Sequence, residues 1–243
     1  MHKLLPRRLE VTRLVLIPAE KDRCLAVPQG LLEAVQIGSG APSKGEPQMT
    51  VSLDSLLAEI RACTVCSPHL PHAPRPVLQA GRSARLVIIG QAPGSKVHES
   101  GVPWRDQSGD RLRDWMGLGD SAFYDPSLVA LIPMGFCYPG AANGADLPPR
   151  PECAPLWHVR LLSSLPKTRL SLLVGMHAQG YYLRDAVKAT MTDTVRSFAA
   201  YGPHGFPLPH PSWRSTGWMR RNPWFEAEVL PRLRDRVRQA LAD

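Results

Sequence analysis

The segment Arg85-Leu-Val-Ile-Ile-Gly-Gln-Ala-Pro-Gly94 decides the fold class. Leu86 to Ile89 form an apolar run without polar alternation, which is typical of a strand buried on both faces of a parallel sheet. Gly90 ends this strand, and Pro93-Gly94 then turns the backbone sharply. Open α/β sheets bind their ligands in the crevice beyond the carboxyl ends of their strands. The segment therefore predicts a parallel sheet and a ligand-binding loop at its edge.

Three further apolar segments repeat this arrangement of strand and loop, at residues 128–134, 170–175 and 206–209. The pattern between them predicts helices over residues 52–62, from an N-cap near Ser108, over residues 154–165, from Met176, and from Asn222-Pro223 to the carboxyl end. Strands that alternate with helices favour an α/β fold of three layers. We expect a short central parallel sheet of about four strands flanked by helices.

Length and composition are consistent with one folded domain and an extension. The chain has 243 residues, of which 44% are apolar, enough to bury a full core. Residues 1–48 are rich in proline and end in a Gly/Ser/Pro linker, so we expect a poorly ordered extension before a domain over residues 49–243. No segment approaches the roughly 18 apolar residues of a membrane span. We expect a cytoplasmic monomer with no membrane partner.

The net charge of +8 is distributed unevenly. Residues 205–243 contain seven Arg against four acidic residues, and these Arg are interleaved with Trp213, Trp218 and Trp224. Basic and aromatic side chains together suit a polyanion with exposed bases, which indicates a nucleic acid. The alternative is a solvated basic surface.

Four of the five cysteines form a spaced set: Cys63, Cys66, Cys137 and Cys153. In a reducing compartment, cysteines in a chain of this length are more often ligands or core residues than disulfides. Four thiolates are the usual ligands of a [4Fe–4S] cluster. A Cys₄ zinc site uses the same ligands, with His69 and His72 as alternative donors near the first pair. Either metal would be structural, because all four ligand positions are filled. The third alternative is that the cysteines bind no metal.

The loop after the first strand resembles the uracil-DNA glycosylase superfamily, especially its iron–sulfur-containing family 4 branch. The first motif of that family reads Gly-Glu-Ala-Pro-Gly, and Gly-x-Pro-Phe and Gly-x-Leu-Leu follow it. The corresponding segments are Gly90 to Gly94, Gly101-Val-Pro-Trp104 and Gly109-Asp-Arg-Leu112. The cysteine order also matches the family, with a close pair, a third after the second strand and a fourth opening the next helix. The resemblance covers nearly all of residues 50–243 and implies a [4Fe–4S] cluster.

The resemblance implies an enzyme of base excision repair that hydrolyses the N-glycosidic bond of a deaminated base, uracil first, in DNA. Such a base must be flipped out of the duplex into a pocket. By correspondence with the family, Gln91 takes part in the water step, Trp104 stacks on the base and His210 faces the base oxygen. The remaining candidates are the substrate-binding residues Gly90, Ala92, Pro93, Gly94, Met134 and Ser212, and the DNA-binding residues Trp213, Arg214, Arg220 and Arg221.

Two departures from the family pattern leave the identity of the preferred base open. Where family 4 has Glu, the chain has Gln91, whose amide can orient a water but cannot accept its proton as a carboxylate would. Where the family has a uracil-reading Asn, the chain has Pro133, with neither a side-chain amide nor a backbone N–H. Substitutes for that Asn are Asn143, His98, Asp106 and the backbone around Met134 and Gly135. Two alternatives follow: a glycosylase for another deaminated base such as hypoxanthine, and a catalytically silent nucleic-acid-binding protein.

Overall fold

A computed structural model describes residues 52–202 and 205–242, so the predicted extension over residues 1–48 lies outside the described residues. The strands in these ranges are β1 (Leu86–Ile89), β2 (Val129–Leu131), β3 (Ala141–Ala142), β4 (Ala145–Asp146), β5 (Leu170–Val174) and β6 (Gly205–Leu208). Strands β2, β1, β5 and β6 form one sheet in that order, and every pairing in it is parallel. Strands β3 and β4 form a separate antiparallel hairpin.

Helices cover both faces of the four-stranded sheet. They are α1 (Leu53–Arg61), α2 (Ser95–Ser100), α3 (Gln107–Met116), α4 (Asp120–Phe123), α5 (Cys153–Ser163), α6 (Met176–Leu183), α7 (Met191–Arg196), α8 (Ser215–Arg221) and α9 (Leu230–Leu241). A π-helical turn, Phe225–Val229, leads into α9, and short 3₁₀ turns occur at Ser67–His69, Arg184–Ala186 and Phe198–Tyr201. None of the described helices is long and apolar enough to cross a membrane.

Strand β1 shows why its sequence lacks polar alternation. Val87 and Ile89 pack into the layer that contains α1 and α5, whereas Leu86 and Ile88 pack into the layer that contains α3 and α9. All four side chains are buried. A strand covered by helices on both faces needs apolar residues at every position. The predicted three-layer α/β fold with a short parallel sheet is confirmed.

The predicted elements differ from the observed ones mainly at their ends. Strand β2 is shorter than residues 128–134, because the chain beyond Leu131 departs from the sheet after two further backbone bonds, Ile132 N–H to Ile88 O and Met134 N–H to Gly90 O. The predicted N-cap at Ser108 is wrong. Asp106 caps α3, because its carboxylate accepts a hydrogen bond of 2.8 Å from the Gly109 N–H.

The helix predicted to start at Asn222-Pro223 is not capped by the Asn222 side chain. Its side-chain oxygen accepts a hydrogen bond from Trp224 Nε1, and its amide donates to the Trp218 carbonyl of the preceding helix. Asn222 therefore terminates α8.

The strand order explains where the ligand crevice lies. The chain passes from β1 to β2 on one side, and then crosses to β5 and β6 on the other side of β1. Parallel sheets with this change of direction open a crevice at the carboxyl ends of the two central strands. Here the cavity in that crevice is lined by residues of the loops that follow β1, β2 and β6.

Candidate active site

One cavity lies at the carboxyl edge of the sheet, with a volume of about 300 Å³. Most of the residues proposed from the sequence line it: Gly90, Gln91, Ala92, Pro93, Gly94, Trp104, His210, Ser212, Trp213 and Arg214. Asp106, Ser108 and Asp146 are further polar residues that line it, as does Pro133. The loops after β1 and β6 therefore meet here, although about 120 residues separate them in the sequence.

Trp104 is held in place by its backbone and by its ring. Its φ of 57° is in the left-handed region, which an aromatic residue adopts only when its surroundings fix it. Its carbonyl accepts hydrogen bonds from Tyr124 Oη at 3.1 Å and from Arg113 Nη1 at 3.5 Å. The indole ring lies against Gly90, where an added Cβ would be only 2.7 Å from Cζ2. These contacts preorganise the aromatic wall of the cavity.

Gly109 permits this backbone geometry, and its substitution gives a first prediction. A Cβ at Gly109 would lie 1.7 Å from the Trp104 carbonyl oxygen, a contact that no rotamer change can relieve. We expect Gly109→Ala to lower the free energy of unfolding by about 1–3 kcal/mol through overpacking. Denaturant unfolding with far-UV circular dichroism measures this change.

Gly180→Ala is the matched control, because Gly180 lies in α6 with no atom within 4 Å of an added Cβ. Alanine at a helical position is favoured over glycine by up to about 1 kcal/mol, so this variant should be as stable as the parent or more stable. A Gly109→Ala protein with unchanged stability would show that the loop carrying Trp104 can move aside.

The His210 ring lies beside the Trp104 ring in the wall of the cavity. The ring centroids are 5.8 Å apart and the planes are inclined by 29°. The Ser215 hydroxyl donates to the His210 carbonyl, which holds the backbone between the two prolines that flank it. Burial lowers the pKa of His210, while the nearby Asp106 carboxylate opposes this shift. The imidazole is therefore held neutral near pH 7, with one ring N–H available as a hydrogen-bond donor.

The mouth of the cavity is aromatic and cationic. Trp213 is 73% exposed, an unusual position for so large an apolar ring. The Arg214 guanidinium lies 5.3 Å from the centroid of that ring. Arg111 anchors the loop from α3 by donating to the Ser212 carbonyl. Arg220 and Arg221 do not line the cavity but are exposed at the end of α8.

The loop after β1 is tied to the loop after β2 by backbone hydrogen bonds. The Gly135 N–H donates to the Gln91 carbonyl at 3.0 Å, and the Met134 N–H donates to the Gly90 carbonyl at 2.9 Å. Met134 itself is buried and does not line the cavity. The backbone donors proposed at residues 134 and 135 are thus already used inside the protein.

Pro133 has no hydrogen-bond donor to offer a base. It lines the cavity but has no N–H, and its carbonyl accepts a hydrogen bond of 3.1 Å from His158 Nε2. A carbonyl only accepts, so His158 carries its proton on Nε2 and its Nδ1 accepts from the Tyr182 hydroxyl at 2.5 Å. Burial lowers the pKa of His158 to about 4, so this neutral arrangement persists at physiological pH.

The sequence analysis assigned no secondary structure between the strand at residues 128–134 and the helix at residues 154–165, so it did not predict the hairpin of β3 and β4. Its two-residue turn is Asn143-Gly144, with φ of 54° and 72°. The Asn-Gly pair is the preferred sequence for such a turn and was the available signal. Asn143, one of the suggested base readers, is exposed at the tip and does not line the cavity, whereas Asp146 does.

The four spaced cysteines meet at a second, smaller cavity. Cys63 follows α1, Cys66 precedes a 3₁₀ turn, Cys137 follows β2, and Cys153 is the first residue of α5. The Phe136 N–H donates to the Cys153 sulfur at 3.4 Å, and the Cys66 thiol donates to Glu152 at 4.0 Å. Four thiols from three parts of the chain therefore surround one space, and a backbone N–H is directed at one of the sulfurs.

Two of these thiols are buried in a way that favours their uncharged form. Burial raises the pKa of Cys137 to about 11 and that of Cys153 to about 12. A metal ion deprotonates the thiols that coordinate it, so binding would reverse this state. Within residues 52–202 and 205–242, no group of three or more His, Cys, Asp or Glu side chains has an arrangement that could hold a metal ion. The donor set fits a cluster in number and chemistry, but its present spacing is not that of a closed site.

The fold and the cavity define a class of α/β protein with a ligand site at the carboxyl ends of a parallel sheet. The family model of the uracil DNA glycosylase superfamily matches residues 78–234, more than half of the chain. The chain belongs to this superfamily. Membership suggests a DNA glycosylase, a hydrolase of DNA repair, and the matched segment contains the strands of the parallel sheet and every residue that lines the cavity except Val77.

Proposed function

We propose that the protein hydrolyses the N-glycosidic bond between a deaminated base, uracil first, and deoxyribose in DNA, as a step of base excision repair. The observation that carries the proposal is the convergence of Gln91, Trp104 and His210 on one cavity of about 300 Å³. Its volume is at the lower end of the range for small-molecule sites. An exposed tryptophan and an arginine at the mouth suit a DNA strand from which one nucleotide has been flipped.

Each of these side chains supports a part of the reaction. Trp104 offers a fixed aromatic face on which a flipped base can stack. As the bond from C1′ to the base nitrogen breaks, its electron pair leaves with the base, and negative charge accumulates on the base oxygen. A neutral His210 can donate a hydrogen bond to that oxygen and so stabilise the developing charge. The Gln91 amide can orient the attacking water without accepting its proton.

The wall at Pro133 favours a second candidate within the same reaction class. Pro133 has no N–H and no side-chain amide, and its carbonyl already accepts a hydrogen bond from His158, so this position lacks the donor and acceptor pair with which an Asn would distinguish base edges. A pocket that recognises its base by stacking more than by edge hydrogen bonds would also admit hypoxanthine. The second candidate is therefore a glycosylase for another deaminated base.

An incision assay separates these candidates. Oligonucleotides that contain uracil, hypoxanthine, xanthine or an intact base are incubated with the protein, and abasic sites are cleaved with alkali. Release of uracil alone supports the first candidate, and comparable release of hypoxanthine supports the second. Binding to all four oligonucleotides without any cleavage would overturn the glycosylase proposal and leave a silent DNA-binding protein.

We also propose that Cys63, Cys66, Cys137 and Cys153 hold a [4Fe–4S] cluster, with zinc as the alternative. The four thiols surround one cavity, and four thiolates are the usual ligand set for this cluster. The cluster would be structural, because it would join the end of α1 to the loop after β2 and to the start of α5. The backbone N–H of Phe136 would donate to one of its sulfur ligands.

This proposal predicts that protein purified without oxygen is brown and contains about four irons per chain. Iron and zinc are measured by elemental analysis, and the cluster by visible absorption. Cys153→Ser should lose most of the iron, because an alcohol is a poor ligand for a soft metal site. Colourless parent protein with one zinc per chain would contradict the prediction.

A further inference from the structure

The hairpin of β3 and β4 brings a carboxylate into the cavity wall. Asp146 is the last residue of β4 and lines the cavity near its open side. A Cβ built on Gly94 would lie 3.3 Å from Asp146 Oδ2, so the carboxylate lies directly over the loop that contains Gln91. The tight turn at Asn143-Gly144 fixes the register of the hairpin and hence this position.

Two charged groups from other elements face Asp146. Asp106 approaches from the start of α3, and Arg214 approaches from the loop after β6. Burial raises the pKa of Asp146, and the Asp106 carboxylate raises it further, while Arg214 lowers it. A carboxylate with a raised pKa is a better proton acceptor near neutral pH, and Arg214 favours the ionised form that this requires.

The other polar groups nearby are less suited to accept a proton. The Gln91 amide has no basic site. Asp106 already uses Oδ1 to accept the hydrogen bond of 2.8 Å that caps α3, and its charge also faces His210. Among the described residues that line the cavity, Asp146 is the remaining carboxylate.

We propose that Asp146 is a catalytic residue that accepts the proton of the hydrolytic water, a step that Gln91 cannot perform. This assignment rests on the proposed glycosylase function. The water oxygen forms a bond to C1′ as the bond from C1′ to the base nitrogen breaks. One water proton moves to the Asp146 carboxylate, and the electron pair of the broken bond leaves with the base. The proton then returns from Asp146 to solvent, which restores the carboxylate.

Single-turnover cleavage of the best substrate found for the parent protein tests the assignment. Asp146→Asn keeps the shape of the side chain but removes the proton acceptor, so the rate should fall roughly 10²-fold. Added formate should restore the rate of Asp146→Ala by at least about tenfold, because a small carboxylate can occupy the vacated position and accept the proton. Chloride at the same ionic strength should not restore the cleavage rate of Asp146→Ala. Asp114→Asn, which removes an exposed carboxylate from α3 outside the cavity, should match the parent.

The possible results separate a failure of the Asp146 assignment from a failure of the proposed glycosylase function. A parent protein that cleaves no base overturns the glycosylase proposal and the assignment with it. A cleaving parent with an Asp146→Asn rate within about threefold of its own overturns only the assignment. A slow Asp146→Ala protein that formate does not rescue would assign Asp146 to the packing of the hairpin. If Asp106→Asn cleaved much more slowly than the parent while Asp146→Asn stayed active, the proton of the water would be assigned to the Asp106 carboxylate.

Discussion

Replacing His210 by alanine is expected to slow single-turnover cleavage by roughly 10²–10³-fold, which is the usual cost of losing one preorganised donor to a developing anion. The imidazole faces Trp104, where the base would stack, with the ring centroids 5.8 Å apart. Burial lowers the pKa of His210, so the neutral ring needs no proton transfer before it donates its hydrogen bond. The backbone on either side is restricted by Pro209 and Pro211, which limits reorientation of the ring.

The affinity of His210→Ala for DNA should change little, because the donor acts on charge that develops only as the bond breaks. Rates are measured with enzyme in excess, and affinity by fluorescence anisotropy on an intact duplex. His177→Ala is the control, since His177 is at the start of α6 and does not line the cavity. A His210→Ala rate equal to that of the parent on uracil-containing DNA would remove this residue from the mechanism.

The fold was predictable because its signals are local and repeated. Residues 86–89 lack polar alternation, and the structure buries all four side chains between two helical layers. Three of the four strands in the parallel sheet begin or end at other residues than predicted. The last backbone hydrogen bonds set these ends, and the pattern of side chains in the sequence does not show where those bonds stop. Asp106 and Ser108 are both suitable N-caps by type, and only the observed bond to Gly109 distinguishes them.

The part of the site that lies on loops was predictable only through motifs. Gln91, Trp104 and His210 stand beside recognisable Gly and Pro positions, and the structure brings them together at one sheet edge. Asp146 has no such marker, because its position depends on how a two-residue turn folds the hairpin back over Gly94. The hydrogen bond from His158 to the Pro133 carbonyl could not be predicted either, because it joins residues 25 positions apart in the sequence through a buried side chain.

Removal of the Trp213 ring should impair cleavage of duplex DNA more than cleavage of single-stranded DNA. The ring is 73% exposed at the mouth of the cavity, and Arg214 lies over it, so it is available to enter the space that a flipped nucleotide leaves. Stacking of an aromatic ring on a base contributes about 1–3 kcal/mol, which corresponds to a loss of roughly 5–150-fold for Trp213→Ala on duplex substrate. We expect Arg220 and Arg221, which are exposed at the end of α8, to contact phosphates of the bound DNA.

Single-stranded substrate supplies the decisive comparison, because a base that has no partner leaves no gap to fill. The ratio of duplex to single-strand rates should therefore fall in Trp213→Ala and remain close to that of the parent in Trp213→Phe, which keeps an aromatic ring. The exposure of the side chain means that neither substitution should alter stability by more than about 0.5 kcal/mol, so a change in rate cannot be attributed to unfolding. An equal loss on both substrates would mean that Trp213 shapes the cavity itself, and the entry of a side chain into the duplex would then have to be assigned to another residue of the same loop.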